Sequence, residues 1–152
     1  MRIQQGELRL SATDLSQHLG CTHLTQLDRA AAEGRLEAPI WTDLILEMLK
    51  ERGIAHEEAF AAHLGTEGRT VVEVGREAPA GRVLELMEAG TDVILQAPLA
   101  DGLFSGFADF LFKVPGTSNL GDFRYEVIDT KLSLKTRAGT ILQLCMYTEA
   151  VA

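Results

Sequence analysis

Apolar and polar residues follow a helical period through the first half of the chain. Apolar positions recur three and four residues apart, and glycines stand where these repeats end. Ser11 and Asp14 have the spacing of a capping box, so the first helix is expected to begin after Ser11 and to end at Gly20. Gly53 is expected to separate the third helix from the fourth. After the first, the predicted helices cover residues 24–33, 44–52 and 56–64.

The second half of the chain has shorter segments with the composition of strands. β-Branched and aromatic residues are concentrated between turn-forming residues, which is typical of a sheet. A loop is expected at residues 115–121, and helices from Pro79 to about Ala89 and over residues 137–151. The predicted strands cover residues 70–74, 92–98, 103–114 and 122–132. Helices followed by a strand meander and a further helix indicate an α+β or mixed α/β domain.

The composition is that of one globular domain with an acidic balance. The chain has 152 residues, of which 46% are hydrophobic, and a net charge of −8. These values exclude a disordered chain and argue against a general nucleic-acid coat protein. Residues 110–140 differ from the rest, because they hold five basic and three acidic side chains. The sequence has no apolar run long enough to cross a bilayer and no signal peptide, so we expect a cytoplasmic protein without a membrane partner.

The two cysteines do not predict a cofactor bound by cysteine. Cys21 and Cys145 cannot by themselves form a disulfide framework, a four-cysteine zinc site or an iron–sulfur cluster. We expect Cys21 to be a small buried residue near a helix junction, and Cys145 to pack in the core.

One acidic residue interrupts an apolar strand. Asp109 lies among aromatic and aliphatic residues, and strand alternation would place it on one face with Phe107 and Leu111. Burial of a bare carboxylate is costly unless a cation or strong donors meet it. Two interpretations remain open: an edge strand with Asp109 in water, or a metal ligand.

The next predicted strand contains a second acid among apolar residues. Asp129 and Lys131 are two residues apart and would point to the same side. A solvated ion pair is one explanation. If the two strands pair, Asp109 and Asp129 can instead converge on one cation, and hard cations such as Mg²⁺ and Mn²⁺ prefer such oxygen ligands. Such a cation, together with Lys131, could polarise a phosphodiester.

Four short motifs follow one another along residues 53–147. In chain order they are Gly53-Ile-Ala-His56-Glu57, Gly106-x-x-Asp109, Asp129-x-Lys131 and Gln143-x-x-x-Tyr147. Together they resemble the signature of the RecB-like branch of the PD-(D/E)XK nucleases. The resemblance implies a restriction-endonuclease-like core, in which helices flank a central mixed sheet. It divides the single domain of residues 1–152 into an N-terminal helical part, 1–52, and a catalytic core, 53–152.

The resemblance also implies a role for each matching residue. Lys131 would orient the attacking water or stabilise the transition state. Gln143 and Tyr147, one turn apart on a helix, would hold the DNA backbone or support Lys131. Asp109 and Asp129 would act in catalysis through the metal. The ligands of a Mg²⁺ or Mn²⁺ ion would be His56, Asp109, Asp129 and the backbone carbonyl of Thr130. The implied activity is hydrolysis of DNA phosphodiester bonds.

The implied partners are DNA, as single strands or duplex ends, and a helicase region or subunit. Residues 10–28 resemble a RecB-type subfamily whose longer members carry a helicase-like region after the nuclease. The chain ends five residues after Tyr147, within an apolar run, so we expect it to be a piece of a larger protein. Two alternatives stay open. One is a non-catalytic structural or DNA-binding module of a helicase–nuclease assembly, and the other is an α+β protein with accidental motifs.

Four other polar residues are weaker candidates for the site. His63 is interpreted as structural, and Glu126 points away from Asp129. Glu57 is interpreted chiefly as an acid in the first turn of a helix, where the helix dipole favours it, and a role in supporting the site is the alternative. Gln96 is a buried amide that either lines the site or makes a hydrogen bond in the core.

Overall fold

The computed structural model describes residues 1–4, 6–79 and 81–152. Within these ranges, the chain forms a four-stranded sheet, a short separate hairpin and five helices. The elements are β1 (Arg2–Gln4), β2 (Glu7–Arg9), α1 (Ala12–Gly20), α2 (Thr22–Ala32), α3 (Leu44–Thr66), β3 (Val71–Glu73), α4 (Arg82–Glu88), β4 (Val93–Asp101), β5 (Phe104–Ser118), β6 (Gly121–Ile128) and α5 (Ala138–Val151). No described helix is both long and apolar enough to cross a membrane.

The sheet has the order β3–β4–β5–β6 and is mixed. Strand β3 is parallel to β4, and the other pairs are antiparallel. Neighbouring residues of β4 belong to different core clusters, so helices cover both faces of the sheet. Val93 packs with Leu64 of α3, whereas Ile94 packs in the cluster that contains residues of α1, α4 and α5. The expected α+β class, with a central mixed sheet flanked by helices, is confirmed at this level.

The predicted capping box at the start of α1 is present and is tied to the chain terminus. The Ser11 hydroxyl accepts from the Asp14 backbone N–H, and the Asp14 carboxylate accepts from the Ser11 backbone. The N-terminal ammonium group of Met1 lies 2.6 Å from Asp14 Oδ1, and both groups are buried. Burial alone would raise the pKa of Asp14, but hydrogen bonds from the N-terminus and from Ser11 outweigh it and lower that pKa.

Replacing Asp14 with Ala is expected to lower the free energy of unfolding by about 1–3 kcal/mol, because it removes a helix cap and leaves a buried ammonium group unpaired. The pKa of Asp14 is lower in the folded state, so its stabilisation is present above the unfolded pKa and is lost as the pH falls. Urea unfolding at neutral and acid pH measures both effects. Asp122→Ala, at an exposed acid, is the control, and an equal loss in both variants would contradict the assignment.

Helix α3 differs from the expected pair of helices. It runs without a break through Gly53, which does not adopt a positive φ, and Asp43 caps it by accepting from the backbone N–H groups of Ile45 and Leu46. A glycine in a helix costs only about 1 kcal/mol relative to Ala, and the hydrogen bonds on both sides offset this. Gly53 is therefore not a helix stop, and Glu57 lies inside α3 rather than in a first turn.

The first half of α3 carries an exposed apolar surface. Leu44, Ile45, Met48 and Leu49, which the period predicts as an inner stripe, are 80%, 67%, 48% and 46% exposed. The prediction that they face a core is wrong for the part of the chain that the structure describes, because α3 packs on the sheet only through its second half, around Phe60 and Leu64.

Three other expectations need correction. Strand β5 continues to Ser118, through residues predicted as a loop, because it stays paired with β6. Strand β6 ends at Ile128, so Asp129 and Lys131 follow the strand instead of lying in it. Cys21 and Cys145 are both exposed rather than buried. Cys21 does occupy a helix junction, between α1 and α2.

Candidate metal centre

Strands β4 and β5 are paired, and both depart from the regular alternation of side chains at the same point of their pairing. Gln96 has φ +51°, the only positive φ of a non-glycine residue in the described ranges. Leu95 pairs with Phe110 and Ala97 with Ala108, which places Gln96 opposite Asp109. Ala108 belongs to the cluster beneath α5, and Phe110 packs against α3.

Alternation is shifted between Ala108 and Leu111. These two residues lie in the same core cluster although they are three positions apart, so Asp109 and Leu111 do not share a face. The expected grouping of Asp109 with Leu111 is wrong. Asp109 lies at the shift and borders an open cleft together with Phe107, its predicted neighbour on that face.

The structure brings Asp109, Asp129 and Lys131 together. Lys131 Nζ donates to Asp129 Oδ1 at 2.5 Å and lies 4.0 Å from Asp109 Oδ2. The Asp129 side chain is 3% exposed and that of Asp109 is 14% exposed, whereas Lys131 is 42% exposed. The two nearly buried carboxylates thus share the ammonium group of Lys131, which solvent can reach.

Each carboxylate has a buried oxygen without a hydrogen bond among the described residues. Asp109 Oδ2, Asp129 Oδ2 and Thr130 Oγ1 are buried and accept or donate no hydrogen bond within the described residues. Buried polar atoms are almost always satisfied in folded proteins, so three neighbouring exceptions require an explanation. Two carboxylate oxygens in this state are suitable ligands for a hard cation.

The two acids influence each other's protonation. Burial raises the pKa of Asp109 to about 7, and the neighbouring Asp129 side chain and the charge of Glu57 act in the same direction. Lys131 opposes them. Like charges in a confined site are stabilised either by a shared proton or by a cation, so the two acids favour cation binding once both are ionised.

A third carboxylate approaches from α3. Glu57 Oε2 accepts from the Gln96 side-chain amide at 3.0 Å, and burial raises the pKa of Glu57. The positive φ of Gln96 turns its amide toward α3 and away from the strand pattern. Of the two alternatives left open for Gln96, the structure favours a residue that lines the site, since it also borders the cleft. Glu57 also borders the cleft, so the structure favours the alternative interpretation of Glu57, as a residue that supports the site.

Helix α5 supplies the last two predicted residues. Gln143 Nε2 donates to Asp129 Oδ1 at 3.3 Å. Burial raises the pKa of Tyr147, and the nearby Phe107 backbone opposes this shift. The hydroxyl end of the Tyr147 ring lies against Gly106, where an added Cβ would meet Cε1 of the ring at 2.8 Å. Glycine at this position therefore allows Tyr147 to reach the sheet, a packing role that spacing alone did not predict.

The histidines lie outside this group. His56 is exposed on α3 next to Glu57, and the described residues include no cluster of three His, Cys, Asp or Glu side chains arranged to hold a metal. The assignment of His56 as a metal ligand stays a prediction, as does that of the Thr130 carbonyl. His63 contacts Glu67 at the surface, and Glu126 pairs with Arg124, consistent with their expected places outside the site.

A cleft of about 780 Å³ opens onto Asp109, Glu57 and Tyr147. Its size lies within the range of ligand-binding sites. Comparisons with models of protein families, with curated proteins and with solved structures found no match for the chain. The assignment of a function therefore depends on the geometry of this cleft.

Proposed function

We propose that this protein is a divalent-metal-dependent DNA nuclease with a RecB-like, restriction-endonuclease-like core. The observation that carries the proposal is the pair of buried carboxylate oxygens of Asp109 and Asp129 that lie beside Lys131 and make no hydrogen bond. A structural ion pair would use these oxygens in hydrogen bonds, whereas a metal site leaves them free for a ligand.

The residues fit Mg²⁺ or Mn²⁺. The buried atoms without a hydrogen bond here are carboxylate and hydroxyl oxygens, which suit small hard cations, and neither cysteine borders the cleft. Asp109 and Asp129 would hold the ion, Glu57 would bind it directly or through water, and His56 and the Thr130 carbonyl are the further predicted ligands. The bound ion would neutralise phosphate charge and lower the pKa of a water molecule.

The protein's own groups account for the other steps. Lys131, partly exposed and tethered to Asp129, can place its ammonium group against a non-bridging phosphate oxygen and stabilise the negative charge of the transition state. Gln143 fixes Asp129 by donating to it, and thereby limits the positions of Lys131. Tyr147 borders the same cleft, and its role in holding the DNA backbone or supporting Lys131 is the one that the resemblance implies.

The test is cleavage of linear duplex and single-stranded DNA with Mg²⁺ or Mn²⁺. Wild-type protein should cleave only with the metal, and Asp129→Ala should be inactive. Asp122→Ala, the same substitution at an exposed position, is the matched control. Equal cleavage by wild type and Asp129→Ala would end the assignment of Asp129.

A second function is favoured by the apolar surface of α3. Its exposed residues, Leu44 and Ile45 among them, suit a non-catalytic structural or DNA-binding module of a larger helicase–nuclease assembly. Under this alternative, calorimetry would detect no Mn²⁺ binding and no metal would support cleavage. A melting temperature raised by a divalent ion would count against it.

Gln96→Gly is expected to separate stability from activity. Glycine accepts a positive φ, so the free energy of unfolding should stay constant or rise by up to about 1 kcal/mol. The amide that holds Glu57 is lost, and metal-supported cleavage should fall roughly tenfold, in the range reported for lost supports of metal ligands. Thermal melting and cleavage assays measure the two effects. Gln96→Asn, whose amide is too short to reach Glu57, should lose as much activity, and full activity in either variant would contradict the role of Gln96.

A further inference from the structure

Alternate residues of β5 form one wall of the cleft. Ser105, Phe107 and Asp109 are two positions apart and all border it. Same-face side chains of a strand are spaced by about 6.6 Å. This spacing is comparable to that of consecutive phosphates along one nucleic-acid strand.

Each of these wall residues has a cation from a different part of the chain. Lys131 lies beside Asp109, as described above. The Arg76 guanidinium carbon, from the segment after β3, lies 5.1 Å from the centre of the Phe107 ring. Arg2, from β1, has Nη2 at 3.4 Å from Ser105 Oγ. The cations therefore form a row that leads away from the metal centre along β5.

The two arginines of this row are available to a ligand. Both are exposed, and neither forms an ion pair with a carboxylate among residues 1–4, 6–79 and 81–152. Arg9 borders the same end of the cleft but is held by Glu7 at 2.8 Å and by the Gly102 carbonyl at 2.5 Å. Guanidinium groups match phosphate oxygens in geometry, and stacking on Phe107 orients the plane of Arg76.

We propose that Arg2 and Arg76 bind successive phosphates of a single DNA strand that runs along β5 into the metal centre. The inference rests on the proposed nuclease function for the position of the cleaved phosphate. A cleft of about 780 Å³ accommodates a few nucleotides of one strand and is too small for a duplex. Glu58 and Glu73 also border the cleft, so the arginines are what makes this acidic protein compatible with a polyanion there.

Binding is measured by fluorescence anisotropy with a labelled oligothymidine, with Ca²⁺ in place of the catalytic metal, over a series of salt concentrations. Arg76→Gln and Arg2→Gln should each weaken binding roughly fivefold to tenfold, and each should reduce the slope of log K against log salt by about 0.7. Arg29→Gln and Arg82→Gln, at arginines paired with Glu33 and Glu85 away from the cleft, are matched controls and should bind as wild type does. Melting curves identify any variant that fails to fold, and Arg76, outside all strands and helices, provides the second variant if Arg2→Gln disturbs the hairpin.

The proposal is overturned if wild type does not bind the oligothymidine, if the control variants lose as much affinity, or if a blunt duplex binds more tightly than the single strand. A separate cleavage assay with Mn²⁺ distinguishes this result from the nuclease proposal. Arginine-dependent binding without cleavage supports the strand path and removes the nuclease assignment. If the protein cleaves DNA but its binding does not depend on either arginine, the nuclease assignment is supported and the strand path is removed.

Discussion

Asp109→Asn is expected to make the metal-free protein more stable at neutral pH. The pKa of Asp109 rises from 3.8 to about 7 on folding, so the folded state holds this proton more tightly than the unfolded chain does. The stability gained from it is fully present below the unfolded pKa and is lost as the pH rises through about 7. Asparagine carries no charge, and it removes this loss together with the repulsion from Glu57 and Asp129.

The same variant should lose its response to metal. A ligand present at one hundred times its Kd stabilises a protein by about 2.7 kcal/mol, and each kcal/mol raises the Tm of a chain of this size by roughly 2–4 °C. Wild-type protein should thus gain roughly 5–10 °C with Mn²⁺ at that saturation, and Asp109→Asn almost nothing.

Differential scanning calorimetry at pH values on both sides of 7, with and without Mn²⁺, measures both effects. Asp101→Asn, at the exposed end of β4, is the control with the same chemical change. If Asp109→Asn were destabilised in the metal-free state, or if its Tm still rose with Mn²⁺ as that of wild type does, the assigned role of Asp109 would be wrong.

Lys131→Met is expected to reduce cleavage by roughly a thousandfold, in the range measured when one donor to a transition-state oxyanion is removed. Its ammonium group lies within 4.0 Å of both acids, so removing it takes away a positive charge that competes with the metal. Binding of Mn²⁺ should therefore be unchanged or tighter. A residue with a merely structural role would not produce this combination.

Isothermal titration with Mn²⁺ and single-turnover cleavage together test this prediction. Lys135→Met, at an exposed position of the same segment, is the control. Weakened Mn²⁺ binding by Lys131→Met would indicate that Lys131 holds the acids in place, and unchanged cleavage would remove it from the chemistry.

The sequence predicts the order of the main elements because helices and strands repeat their apolar residues at different spacings. The capping box of Ser11 and Asp14 is a local signal, and it marked the start of α1. The hairpin of β1 and β2 was not predicted, because strands of three residues are too short to display alternation. At Gly53 the pattern predicts a helix end that is absent, since α3 continues through this residue. A glycine ends a helix only when the surrounding contacts do not continue it.

The acids of the site were predictable, whereas their surroundings were not. Asp109 and Asp129 were identified because a carboxylate among apolar residues requires a partner. The shift in alternation depends on the backbone of Gln96, whose amide meets Glu57 from a helix 39 residues away in the chain. Such long-range contacts leave no period in the sequence, and the sequence therefore favours a first-turn acid at Glu57 over a residue of the site.

The central claim is that the carboxylates of Asp109 and Asp129 hold one divalent cation. Crystals soaked in MnCl₂ and measured for anomalous scattering test it most directly. We predict one manganese peak, at about 2.2 Å from an oxygen of each aspartate, with Glu57, His56 or the Thr130 carbonyl nearby. Ordered density for both side chains with no manganese between them would contradict the claim.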